Sequence, residues 1–151
     1  MELTFVFLKP DALERGLVYT VMEYFFRAGI QVRAMDLQTV APETICAHYA
    51  EHIRKYGADF QQMTLDMFAG RQVLPAILAG GENVVEDVRT IVGATQPVKA
   101  AEGTIRGDLG LGDCYERSTP EKRLVRNLIH ASDTKEAVRR EAALWLPQFT
   151  V

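Results

Sequence analysis

The sequence predicts an α/β or α+β sandwich, with helices packed against a sheet, and three observations carry that reading. Short apolar runs of strand length alternate with stretches whose apolar residues recur at helical spacing. Their order is strand, helix, strand, helices, strand, helix, strand, helix. No internal repeat, low-complexity tract or linker interrupts it, so the 151 residues are expected to form one domain, long enough to bury a proper core.

The first element is a buried strand, Leu3 to Leu8 ("LTFVFL"), ended by Lys9-Pro10. Val18, Val21, Met22, Phe25 and Phe26 then recur at helical spacing, and Gly29 supplies the stop. Ile30 to Val40 reads as a second strand. Pro42 suits the first turn of a helix running through "ETICAHYAEHI", and another helix covers Phe60 to Phe68, ending near Gly70. Gln72 to Ala79 reads as a strand, with Pro75 pointing to an edge position or a bulge. Asn83 is placed to cap a helix carrying Val84, Val85, Val88, Ile91 and Val92, and Gly93 follows it. "RNLIHAS" is a short final strand. Asp133, with Glu136 three residues on, resembles a capping box for a helix through Trp145. Residues 109–125 fit no element.

Composition narrows the function classes. A net charge of -3 argues against nucleic-acid binding through a general basic surface, and so against an RNA-binding sheet, while permitting a local basic site for a phosphorylated ligand. Cys46 and Cys114 make neither a CxxC pair nor a zinc spacing, which suits a reduced chain. The start lacks the features of a signal peptide, and no apolar run approaches the roughly 20 residues a membrane span needs. A cytoplasmic protein with no membrane partner is expected.

The last helix holds the informative oddity. Ala137, Val138, Glu141, Leu144 and Trp145 form one stripe, so Glu141 occupies the middle of an apolar face, where an unpaired carboxylate is costly. His130, on the strand just before, is its best-placed partner. A carboxylate on one imidazole nitrogen fixes the tautomer and leaves the other free as a base, ligand or nucleophile; a buried pair that only satisfies itself reads equally well. Lys9 at a strand end is either a snorkelling side chain or a fixed cation aimed at an anion. Arg89 and Arg106 are either solvated charges or, converging with Lys9, a phosphate clamp.

Familiar nucleotide signatures are missing: there is no GxxxxGK[ST] loop, no GxGxxG, and no HRD or DFG. "HYAEH", His48 to His52, matches the inverted zinc-peptidase pattern H-x-x-E-H, whose two histidines would share one helix face. That reading needs a third ligand and a cleft besides.

Taken together, "FVFLKPDALERGLV", "HYAEH", "NVVEDVRTIVGATQP", "GTIRGD" and "RNLIHASD…EAALW" resemble the nucleoside diphosphate kinase family, in order and along nearly the whole chain. "NLIHASD" fits the family's reactive segment N-x-[IV]-H-[GA]-S-[DE] throughout, and the resemblance assigns "HYAEH" to nucleotide-site helices. It implies a ferredoxin-like sandwich, a four-stranded antiparallel βαββαβ sheet covered by helices. It also implies transfer of the γ-phosphate from a nucleoside triphosphate to a diphosphate through phosphohistidine on His130, with Mg²⁺ and broad base tolerance. Carried over by resemblance, Lys9 and Asn127 contact sugar hydroxyls, Lys9 also the γ-phosphate; Arg89, Thr95 and Arg106 hold phosphates. Tyr49 and Ser132 line the site, Glu141 orients the His130 ring, and Phe60 stacks on the base, with Tyr56 its rival. A catalytically silent nucleotide-binding relative would need no intact "NLIHASD".

Three departures stand out against the resemblance. Residues 109–125 ("LGLGDCYERSTPEKRLV") form an insertion that could cover the nucleotide or alter an interface. Glu102 replaces a proline before the glycine in "QPVKAAEGT", and the chain stops soon after Trp145. Family members are hexamers or tetramers; with both assembly regions changed, a homo-oligomer as small as a dimer is also expected to be accessible.

Overall fold

The chain opens with β1 (Glu2–Leu8) in the computed structural model, which describes residues 1–151. From Leu3 to Leu8 it is apolar but for the buried Thr4, because helices cover both faces of the sheet. Phe5 and Phe7 enter one core with Ile45, Phe68 and Trp145; Val6 and Leu8 enter the other with Val21, Phe25 and Val88. Truncating a fully buried Phe or Trp in either core would remove roughly 3–5 kcal/mol.

After β1 come α1 (Pro10–Glu14) and α2 (Val18–Arg27), then β2 (Gln31–Met35) and the two-residue β3 (Gln38–Thr39). α3 (Pro42–His48), α4 (Ala50–Tyr56) and α5 (Ala58–Phe68) lead to β4 (Gln72–Gly80). α6 (Val84–Val92), a 3₁₀ turn at Pro97–Lys99, α7 (Ile105–Leu109) and α8 (Tyr115–Ser118) precede β5 (Ile129–Ala131) and α9 (Lys135–Trp145). The sheet path is β2–β4–β1–β5, every neighbour antiparallel, with β3 adding a short fifth strand to β4. With α2 between β1 and β2 and α6 between β4 and β5, this is the expected ferredoxin-like βαββαβ arrangement. None of the helices is long and apolar enough to cross a membrane.

Several local expectations are corrected. Pro75 does not mark an edge: β4 is a central strand, paired with β1 on one side and with β2 and β3 on the other. Its missing N–H is felt elsewhere. Asp36 N donates to Pro75 O at 3.1 Å, but proline cannot return the bond, and the predicted strand Ile30–Val40 divides into β2 and β3 at that point. The helix expected through "ETICAHYAEHI" is broken at Tyr49 into α3 and α4. The Lys9-Pro10 turn is itself the start of α1, Pro10 occupying a first-turn position that needs no donor. Asn83 stands before α6 without a side-chain cap, and the cap of α9 is Thr134, whose Oγ1 accepts from Ala137 N at 3.0 Å, rather than Asp133. "RNLIHAS" pairs as a strand only over Ile129–Ala131.

Candidate active site

β5 carries His130 at the register position of Phe7 on β1, and α9 packs across the same face. His130 Nε2 lies 2.8 Å from Glu141 Oε2, and Ser132 Oγ donates to the same oxygen. A carboxylate accepts, so Nε2 carries the proton and Nδ1 holds the lone pair. No side chain or backbone group of the chain hydrogen-bonds Nδ1. The imidazole is stacked on Phe7 (5.0 Å between centroids) and meets His48 edge-on at 4.5 Å. About 20% of its side chain remains accessible, enough for one edge to react. Burial pushes its pKa below the ordinary histidine value, the hydrogen bond to Glu141 opposing, so the ring is neutral near pH 7.

Cations gather beside it. Lys9, only 6% exposed, donates from Nζ to Asn127 Oδ1 at 2.7 Å. Burial, then repulsion from Arg106, pulls its pKa down to about 7, with Asp11 opposing. Arg106 donates to Asn127 O, Gly93 O and Ile129 O, which leaves two of its five N–H groups unspent. Burial lowers its pKa to about 10, so it stays charged. Glycine is required at 93 on two counts: its φ is +89°, and a Cβ there would meet Oγ1 of Thr104, the cap of α7, at 2.5 Å.

The remaining candidates form the rim. Arg89 is exposed on α6, without a hydrogen-bonded partner, close enough for its charge to bear on Arg106. Thr95 is exposed and its carbonyl accepts from Asn127 Nδ2 at 2.9 Å. Tyr49 links the two halves, its ring 6.4 Å from His130 and 6.2 Å from Phe60. Phe60 is half-buried, stacked on His52 and near Tyr56.

"HYAEH" does not make a zinc pair. The break at Tyr49 leaves His48 buried and His52 exposed. His48 Nδ1 accepts from Trp145 Nε1 at 3.2 Å, and burial holds His48 well below the ordinary histidine pKa. His48, His130 and Glu141 have ligating atoms within 4.8 Å of one another. Their donor atoms are largely committed to Trp145, to Ser132 and to each other. A set with one hard oxygen also does not suit Mg²⁺.

Two carboxylates escaped the sequence reading. Leu128 has a φ of +71°, and Ile129 N donates to Asn127 O at 2.8 Å. This is the γ-turn of positive φ, a strained form worth about 1–3 kcal/mol. Asp11 Oδ2 accepts from Leu128 N at 3.1 Å, and Asp113 Oδ2 accepts from Arg126 N at 2.7 Å. An acid beside a buried lysine in "KPD" was the available signal for Asp11. Cavities of 250 and 360 Å³, both lined by Asp11, Arg15 and Arg126, back this turn and do not include His130.

A neutral, carboxylate-backed imidazole lies beside buried cations on a ferredoxin-like sheet without a P-loop, an arrangement suited to phosphoryl-transfer chemistry. The profile of the nucleoside diphosphate kinase family matches residues 2–151. The nucleoside diphosphate kinase of Archaeoglobus fulgidus is 40% identical over 145 residues, 96% of this chain and 86% of that protein. That of Rhodococcus opacus is 39% identical over 149 residues, 98% of this chain and 96% of that protein. Among solved structures, a transition-state mimic of the Borrelia burgdorferi enzyme with bound vanadate and ADP superposes with a TM-score of 0.89 at 28% identity, covering 96% of this chain and 86% of that one. The NDP kinase from Pyrobaculum aerophilum gives 0.85 at 30% identity, covering 96% and 95%. The chain belongs to the nucleoside diphosphate kinase family and is a phosphotransferase.

Proposed function

We propose that this chain moves a γ-phosphate between nucleotides in two half-reactions through phosphohistidine on His130. The supporting observation is the pair His130–Glu141: the proton on Nε2 leaves Nδ1 free beside Lys9 and Arg106. Nδ1 attacks the γ-phosphorus, the bond from phosphorus to the bridging oxygen breaks, and a nucleoside diphosphate departs. Positive charge on the ring is stabilised by Glu141. A terminal phosphate oxygen of the second diphosphate then attacks phosphorus, the N–P bond breaks, and the ring returns to neutral. Vanadate with ADP in the Borrelia relative accords with in-line transfer.

Lys9 and Asn127 take the sugar hydroxyls, with Lys9 near the γ-phosphate. Arg106, Arg89 and Thr95 hold the phosphates, each supplying fixed charge or a donor where negative charge accumulates. Tyr49 and Ser132 line the site. Phe60 stacks on the base, and a single aromatic face reads few base edges, hence broad tolerance. Mg²⁺ arrives with the substrate on its phosphate oxygens; no side chain is assigned to it. The chain acts in the cytoplasm as a homo-oligomer, hexameric, tetrameric or dimeric, with no nucleic-acid or membrane partner, and residues 109–125 are an insertion within one kinase domain.

The test is brief incubation with γ-labelled ATP and Mg²⁺, comparing wild type with His130→Ala. Expected is a wild-type label that is acid-labile, alkali-stable and chased into GTP by GDP, and no label on the variant. Nucleotide binding with neither label nor GTP would leave a silent binding module instead.

A further inference from the structure

Residues 109–125 separate Arg106 from Asn127 in sequence; Gly110 N donates to Arg106 O at 3.0 Å, but no side chain of the segment hydrogen-bonds a group placed in the reaction above. Their best-buried charge is Asp113, 7% exposed. Arg123 Nη1 and Nη2 grip its two carboxylate oxygens at 2.7 and 2.9 Å, and Glu121 pairs with the same guanidinium. That grip holds the Asp113 carboxyl down to about 2. The insertion is thus internally braced, and one oxygen of the brace, Asp113 Oδ2, receives Arg126 N at 2.7 Å.

The segment after Arg126 is poorly determined by its own ladder. β5 pairs with β1 over three residues only, and the strained turn at Leu128 precedes it. The turn's backbone groups are nearly all held from outside it. Its carbonyls at Asn127 and Ile129 receive Arg106, and that of Leu128 receives Lys9 N at 2.8 Å. The amides of Arg126 and Leu128 find no carbonyl; they go to Asp113 of the insertion and Asp11 of α1. A turn that stores strain persists only where its surroundings over-determine it.

We propose that the 109–125 insertion is a splint for the turn presenting Asn127 and His130, with Asp113 a positioning residue for phosphoryl transfer. The inference rests on the phosphohistidine reading and gives the insertion a role within it. Displacement of a reacting group by about 1 Å can cost a hundredfold in rate, so a splint acts on kcat more than on KM.

The test is single-turnover phosphorylation by γ-labelled ATP in wild type, Asp113→Ala, Asp113→Asn and Arg123→Met, with amide exchange at Arg126 and Leu128 alongside. Expected for Asp113→Ala is a rate at saturating ATP between about tenfold and a hundredfold lower, with half-saturating ATP little changed. Faster exchange at both amides should accompany it. Asp113→Asn, which keeps an oxygen for Arg126 N, recovers most of the rate. A wild-type rate in Asp113→Ala, or a loss of active protein with the remainder running at full rate, overturns the proposal, as does unchanged exchange. If Asp113→Ala does not fold, Arg123→Met decides: a slowed rate supports the splint and a wild-type rate overturns it. Wild type that takes no label fails the phosphohistidine reading instead, and the exchange result still judges the splint.

Discussion

Lys9 Nζ lies 2.7 Å from Asn127 Oδ1, joining the end of β1 to the turn before β5 across 118 residues of sequence. An amide oxygen accepts a hydrogen bond from the ammonium but supplies no countercharge, and Arg106 repels it. Burial above all, and then that repulsion, holds the Lys9 pKa down to about 7 from 10.5. A bound polyphosphate supplies the missing negative charge and raises that pKa. The prediction is net proton uptake on nucleotide binding at pH 7–9, read as a buffer-dependent binding enthalpy in calorimetry. Lys9→Met removes the Lys9 part of the uptake; uptake of the same size in that variant would refute the assignment.

Glu141 serves two donors at one oxygen, His130 Nε2–H and Ser132 Oγ–H. Glu141→Gln keeps an accepting oxygen but loses the charge that stabilises a cationic ring. On the mechanism proposed, its phosphorylation rate falls by about 10²–10⁴-fold with nucleotide affinity nearly unchanged. Ser132→Ala should cost far less, since the carboxylate stays charged and His130 still occupies it. Rapid-quench labelling of both variants gives the comparison, and equal losses would count against the charge argument.

How much of the fold and site was legible in the sequence depends on which forces are local. β1, α2, α6 and α9 announced themselves because apolar periodicity is a property of the element itself. The division of 30–40 into β2 and β3 did not, because its cause, Pro75, lies on another strand. Glu141 could be paired with His130 from the stripe alone, since an acid in an apolar face demands a partner and β5 immediately precedes α9. Asp11 and Asp113 escaped because what ties each to this turn is a backbone amide, and any residue but proline at Leu128 or Arg126 would offer the same N–H. His48 was noticed for zinc chemistry; only the break at Tyr49 shows that His48 and His52 part company.

Acid should unfold this protein early. His48 and His130 are both held below the ordinary histidine value by burial, so below about pH 6.5 the unfolded chain binds more protons than the folded one. Stability from these groups is present above that pH and is lost as pH falls through the folded pKa values. Urea midpoints measured from pH 7.5 down to pH 5 should therefore decline. The decline should be shallower in His48→Gln, which can still accept from Trp145 but cannot titrate. An identical slope in wild type and variant would exclude His48 as a source.

The turn at Leu128 sets two effects against each other, and magnitude decides between them. Glycine adopts φ of +71° without a Cβ clash, a relief of roughly 1–2 kcal/mol. Leu128, however, is fully buried in the core beside Val6, Leu8 and Val88. Removing a side chain of that size costs about 2–5 kcal/mol, and glycine adds freedom to the unfolded chain. The cavity term wins, so Leu128→Gly should lower stability by about 1–4 kcal/mol in urea denaturation. Leu128→Ala keeps the strain and empties the same space, so it should be no more stable than the glycine variant. That ordering, against the general preference for alanine over glycine, is the signature of a strained turn held in place by its buried side chain. An alanine variant clearly more stable than the glycine one would show that the backbone at Leu128 stores little strain.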